Sequence, residues 1–432
     1  MQHPDILPPA GRMRRALIAA GLLAATPTRT LLARTAQHTS TRLSLAEPPA
    51  FRRDPPDIIT QRFAMYQAAG VGTLRTSIGW DDMEPSDGQW RLPPDMPYLR
   101  QALQAGFSLK LLFSTMGAIP AWFVQARPDM QIRNQNGDTT RLALSYWHPD
   151  LPHVLNNALS GMCQTLAGQG VIAAPNFVIA DLGAAGEPKY PSAWNINAAA
   201  PGAEFWCYDA QARANFAAAM AQTYGSIGAA NAAWGTRYSA WSDVAPPAPG
   251  NGSAPLWHDM LDWYRDSKRR FITTQLATYQ TTLQAYASPT PSLVALLPGV
   301  HLAAAQWQES GVEAGPTAAM IDSAFIISTA AKAGCMLQYT GAQDGDEVAW
   351  IRNYMAQNGF SATPLWGENA GHAPTATNNP LALVKIAQRY GLYGIEYVNA
   401  ANLFETDRIT PNQWFATFQS AYQGALAGFA AP

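Results

Sequence analysis

Cysteine is scarce in this chain. Its 432 residues include three, Cys163, Cys207 and Cys335, far apart and without the spacing of a metal or redox centre. An odd number excludes a fully paired disulfide framework and leaves room for one bridge at most. Charge is sparse as well: 13% of the residues are charged, and 28 cations against 30 carboxylates leave a formal net charge of −2. That balance supplies no basic surface for nucleic acid or an anionic membrane. No apolar run reaches the ~20 residues of a bilayer span. Nucleophile-elbow, phosphate-loop and dinucleotide fingerprints are missing, and the acidic stretch Asp344 to Glu347 lacks calcium-loop spacing. Nothing in the sequence calls for a metal or a cofactor, and no internal repeat is visible.

What the chain has is apolar and aromatic. Hydrophobic residues make up 48% of it, with 14 Trp, enough for a large core and for some sugar-facing rings. Arg12, Arg14 and Arg15 precede the apolar run Ala16 to Ala25, the pattern of an export signal, with a pair of arginines directly before the run. Residues 1–36 are therefore expected to be a leader, the protein exported, and residues 37–432 the folded part. From there, short β-like runs alternate with helical ones. The strand candidates are Thr41 to Ala46, Gly72 to Ile78, Ser108 to Ser114, Asn176 to Gly183, Ser292 to Gly299, Gly334 to Thr340, Ala362 to Glu368 and Tyr393 to Asn399. This predicts an α/β fold, a single (β/α)8 TIM barrel. The segment Ala184 to Pro291 is too long for one crossover and is expected to form an elaborated helical and loop region after the fourth strand. Within it, the basic run Arg265 to Arg270 reads as a solvated helix face.

Two carboxylates fall at strand ends. Glu187 follows the fourth candidate strand in the small-residue loop Gly183-Ala184-Ala185-Gly186-Glu187-Pro188-Lys189-Tyr190. Glu368 closes the seventh, in Leu365-Trp366-Gly367-Glu368-Asn369. Acids on separate strand ends of a barrel are what glycosidic cleavage requires: one protonates the leaving oxygen and the other acts on the opposite face of the sugar.

The loop Gly183 to Ser192 resembles the signature Gly-Leu-Gly-Pro-Ala-Gly-Glu-Leu-Arg-Tyr-Pro-Ser of the β-amylase family of inverting glycoside hydrolases. The likeness recurs in order. Phe205-Trp206-Cys207-Tyr208-Asp209, Gly299-Val300-His301, Leu337-Gln338-Tyr339-Thr340 and Gly367-Glu368-Asn369-Ala370 are each similar to a family segment, as are Trp80 and Glu84 upstream. It spans roughly residues 42 to 405. By resemblance Glu187 is the general acid and Glu368 the general base, with Thr340 orienting the water or the base. Asn369, His301 and Glu396 are candidate sugar contacts, Glu396 alternatively an arginine's partner. Trp80 and Glu84 are placed at the barrel mouth, and Tyr190, Trp366, Trp194 and Trp206 are candidate stacking rings. The implied substrate is an α-1,4-glucan cut from its non-reducing end.

The departures are specific. Ser77, Ser114, Leu296 and Glu396 stand where the family carries aspartate, histidine, lysine and arginine that hold sugar hydroxyls. A different oligosaccharide or a bacterial exopolysaccharide therefore stays open as substrate. A second likeness, in Gly79-Trp80-Asp81-Asp82-Met83-Glu84-Pro85 and Asn231-Ala232-Ala233-Trp234-Gly235, is to barrel β-galactosidases, which retain configuration. A non-catalytic glycan-binding barrel is the remaining alternative.

Overall fold

The computed structural model describes residues 42–191, 204–248, 251–298, 322–369, 371, 374–375 and 378–429. Ten strands occur among them: β1 (Arg42–Ala46), β2 (Thr73–Gly79), β3 (Ser108–Ser114), β4 (Gln131–Arg133), β5 (Thr139–Leu144), β6 (Phe177–Ile179), β7 (Ser292–Leu297), β8 (Met336–Tyr339), β9 (Leu365–Glu368) and β10 (Gly394–Val398). Eight of them close a parallel barrel in the order β1-β10-β9-β8-β7-β6-β3-β2. They are the eight strands expected from sequence. The short antiparallel pair β4-β5 was not anticipated; it lies between β3 and the helix Leu151–Leu166.

Alternation of side chains through the closed sheet makes two separate apolar sets. Leu43, Leu45, Leu74, Leu109, Leu111, Val178, Ala295, Leu337, Leu365, Ile395 and Tyr397 join the large core under the helices. Leu112, Phe177, Ile179, Val294, Leu296 and Trp366 form a second cluster inside the barrel. Trp366 reaches across the lumen because position 394 is glycine: a Cβ there would lie 2.5 Å from the indole. The rest of the lumen is polar. Ser44, Arg75, Lys110, Gln338, Glu368 and Glu396 meet there.

The region after β6 is helical, as expected. Helices Ala210–Tyr224 and Ile227–Trp234 precede the 33-residue helix Ala254–Tyr286, which packs along Leu151–Leu166. The first two begin at side-chain caps, Asp209 on the amide of Ala212 and Ser226 on that of Ala229. All three cysteines are buried free thiols. No helix among the described residues is long and apolar enough to cross a membrane.

Candidate active site

Strand β6 runs into Ala180 and Asp181, and the chain then folds into a tight turn, with the amide of Gly186 donating to the carbonyl of Gly183 at 2.9 Å. Small residues are needed there. Ala185 takes φ 59° and Gly186 φ 80°, and a Cβ on Gly186 would sit 2.6 Å from Leu112. The turn delivers Glu187 to the end of β8, where Thr340 Oγ1 donates to Glu187 Oε1 at 2.6 Å. Lys189 pairs with the other oxygen, Oε2. The Glu187 side chain retains 14% of its exposure, so solvent and ligand reach it.

The loop is fastened from below. Asp181 is fully buried and collects three backbone amides: Met116 at 2.7 Å and Gly117 at 3.2 Å on Oδ2, Gly183 at 3.2 Å on Oδ1. Burial pushes its carboxyl up to about 6, against the pull of those amides and of Lys268. Lys268 Nζ donates to Tyr146 Oη at 2.9 Å and to the carbonyl of Lys189 at 3.0 Å, two residues beyond the acid. It is 1% exposed, and burial lowers its ammonium well below the ordinary lysine range. This corrects the expectation of a solvated basic face for Arg265 to Arg270: one of its cations lies under the acid loop.

Glu368 is held inside the barrel by two groups. Arg75 Nη1 reaches Oε1 at 2.8 Å and Gln338 Nε2 reaches Oε2 at 2.5 Å. Burial raises its pKa, opposed by Arg75 and assisted by the neighbouring Glu396. Gln338 lies within β8 and Thr340 directly follows its last residue, with the Thr340 amide donating to the carbonyl of Leu297 at 3.0 Å. Glu368 and Glu187 are thus held by side chains two positions apart at the end of β8. Ser77 shares the inward face of β2 with Arg75 and is exposed, so the barrel opens to solvent above this point.

Glu396 is not available as a sugar ligand. It is fully buried, with Arg75 at 2.9 Å and Gln338 at 2.9 Å on Oε1, and Lys110 at 2.8 Å and Ser44 at 2.9 Å on Oε2. Burial disfavours its charge, but Lys110 and Arg75 outweigh that and hold it at about 2. The alternative role, an arginine's partner, is what the geometry supports. Lys110 also sits over the Trp366 ring, 3.4 Å from its centroid.

Several other expected contacts turn out to be internal. Asn369 is 1% exposed and brackets Val398, donating to its carbonyl at 2.8 Å and accepting from its amide at 2.7 Å. Trp80 donates to Glu84 Oε2 at 2.6 Å, and Glu84 also accepts from the amide of Gly88, so this pair clasps its own turn under Trp122 and Phe123. Tyr190 is fully buried against Tyr264, rings 3.9 Å apart. Trp366 and Trp206 are fully buried as well. Packing claims these rings because a fully desolvated indole or phenol ring contributes most as core. His301 and Trp194 lie outside the described residues. Arg75, Lys110 and Gln338 were missed. The available signal was the lone charge within each of two barrel strands, Arg75 in β2 and Lys110 in β3, where a buried sheet offers no solvent to it.

Residues 117–306 match the model of Glycosyl hydrolase family 14, and residues 50–170 match that of Beta-galactosidase. The chain resembles the β-amylase family. It is 28% identical over 260 residues to the thermophilic beta-amylase of Thermoanaerobacterium thermosulfurigenes, covering 54% of this chain and 45% of that protein. To beta-galactosidase BbgII of Bifidobacterium bifidum it is 26% identical over 230 residues, covering 49% and 30%. The chain thus spans less than half the length of these curated relatives. The catalytic domain of a beta-amylase from Paenibacillus polymyxa superposes with a TM-score of 0.74 at 19% identity, over 90% of this chain and 99% of that one, which establishes the barrel.

Proposed function

We propose that this protein is a β-amylase-like glycoside hydrolase, with Glu187 as general acid and Glu368 as general base. The observation that carries this reading is the suspension of the two carboxylates from Gln338 in β8 and Thr340 just beyond it, at the open end of the barrel. Protonated Glu187 would deliver its proton to the glycosidic oxygen, with Thr340 fixing Oε1. Lys189 has to leave Oε2 for the acid form to exist there. Glu368 would take a proton from the attacking water; its burial strengthens it as a base, and Arg75 keeps it a carboxylate.

The substrate is an oligosaccharide or polysaccharide, with α-1,4-glucan the first to try. Ser77, Ser114, Leu296 and Glu396 withdraw four charged or imidazole contacts from the sugar, so the pocket selects differently from a starch-cutting relative. The match of residues 50–170 to Beta-galactosidase, a span that includes Arg75, favours a second reading in which Glu368 attacks the sugar and configuration is retained.

The test is product analysis by NMR on a panel of α- and β-linked oligosaccharides, with Glu187→Gln and Glu368→Gln alongside. Each variant should lose about 10²–10⁴-fold in rate. An inverted first product supports the acid/base reading, and a retained one replaces it with the nucleophilic reading. Sugar binding that survives Glu187→Gln, without cleavage of any panel member, would indicate a glycan-binding barrel instead.

A further inference from the structure

A second cavity lies away from the two carboxylates. It measures about 240 Å³ and is bounded by the turn Tyr146 to Pro149, the start of the helix Leu151–Leu166 and the middle of the helix Ala254–Tyr286. Its walls are apolar at Trp147, Leu151, Pro152 and Phe271. Three polar side chains facing it are incompletely used. Arg270 makes one hydrogen bond, from Nη2 to Ser267 Oγ at 2.9 Å, and has no carboxylate in ion-pair reach among the described residues. Asn215, at the exposed rim, accepts from Trp263 through Oδ1 and turns its amide nitrogen to solvent. Gln275 is 2% exposed, and its Nε2 has no partner at all.

A buried amide without a partner costs about 1–3 kcal/mol, so its retention at a cavity wall points to a ligand that completes it. The charge at the cavity is positive. The guanidinium of Arg270 is tethered by Ser267 at the solvent-exposed mouth, and the first turn of the helix starting at Leu151 lines the same rim. Asp129 and Asp150 stand behind His148, both paired with Arg127. The volume is below the ~300–1,000 Å³ of pockets for larger ligands, so it admits one ring and no chain interior.

We propose that this cavity is a second carbohydrate site, taking a single carboxylate-bearing sugar unit, a uronate. Arg270 pairs with the carboxylate, Gln275 satisfies a ring hydroxyl at the inner end, and the apolar walls cover the ring's C–H surface. The site is independent of which glycosidic bond is cut.

Binding of glucuronate, glucose and inorganic phosphate to the full chain, measured by calorimetry and ligand-observed NMR, tests it. Glucuronate should bind at least tenfold more tightly than either of the others. Arg270→Gln should raise the glucuronate Kd roughly tenfold or more. Gln275→Leu should also weaken binding while leaving the Tm equal or higher, because it removes an unpaired buried amide. Equal binding of glucose would overturn the role of the carboxylate. Equal binding of phosphate would reduce the site to one for a bare anion. No glucuronate binding, or a Kd unmoved in folded Arg270→Gln, would overturn the proposal altogether.

Discussion

Replacing Glu396 by Gln tests the charge logic of the barrel interior. One nitrogen, Arg75 Nη1, lies 2.8 Å from Glu368 Oε1 and 2.9 Å from Glu396 Oε1. The two carboxylate oxygens are therefore less than about 6 Å apart, and at an effective dielectric of ~20 two such charges repel by about 3 kcal/mol. That repulsion acts on Glu368 in the same sense as burial, so removing it leaves burial alone to oppose the attraction of Arg75 and Lys110. The pKa of Glu368 should fall, and the acidic limb of kcat/KM should move to lower pH with it. Carboxyl carbon NMR titration reads the same shift without any substrate. Stability should drop by about 3–5 kcal/mol, because Lys110 loses its buried partner, and by less where Lys110 can deprotonate. Ser44→Ala is the control: it removes one neutral donor from Glu396, should cost about 1 kcal/mol, and should leave the limb in place. A folded Glu396→Gln protein whose Glu368 titrates unchanged or at higher pH would refute the reasoning.

Other substitutions address the acid loop. Thr340→Val removes the donor to Glu187 Oε1 and should lower kcat about 10–100-fold with KM nearly unchanged, as steady-state kinetics will show. Lys268→Met frees the carbonyl of Lys189 but keeps the stem volume, so the Tm should move little while kcat falls by up to about 100-fold. Asp181 has its folded pKa raised from about 3.9 to about 6, so its contribution to stability is fullest below pH 4 and is lost as pH rises to 6. The loss amounts to about 3 kcal/mol, and urea titrations at both ends of that window should show it in the wild type and not in Asp181→Asn. Gly186→Ala places a Cβ against Leu112 at positive φ and should cost about 1–3 kcal/mol, measured by thermal denaturation.

The eight barrel strands, the elaborated segment after β6 and the two strand-end glutamates were legible in the sequence, because each is a local signal. Alternation within a strand, a turn of small residues and an acid beside it are all written within about ten positions. The partner of Thr340 was not legible: the sequence pointed to the water or Glu368, whereas the folded barrel brings the loop after β6 to the end of β8 and pairs Thr340 with Glu187, 153 positions away. What only the tertiary structure decided is which polar groups meet inside the closed sheet. Arg75 and Lys110 are each the single charge in a barrel strand. They become partners of Glu368 and Glu396 only when closure brings β2 and β3 opposite β9 and β10. The same closure withdrew Trp366 and Asn369 from the substrate, while packing of the helix Ala254–Tyr286 buried Tyr190 and placed Lys268 under the acid loop. A sequence records which side chains can bear charge or stack on a sugar. Whether each faces solvent, a ligand or a buried counter-charge depends on register and closure, set by contacts between residues remote in the chain.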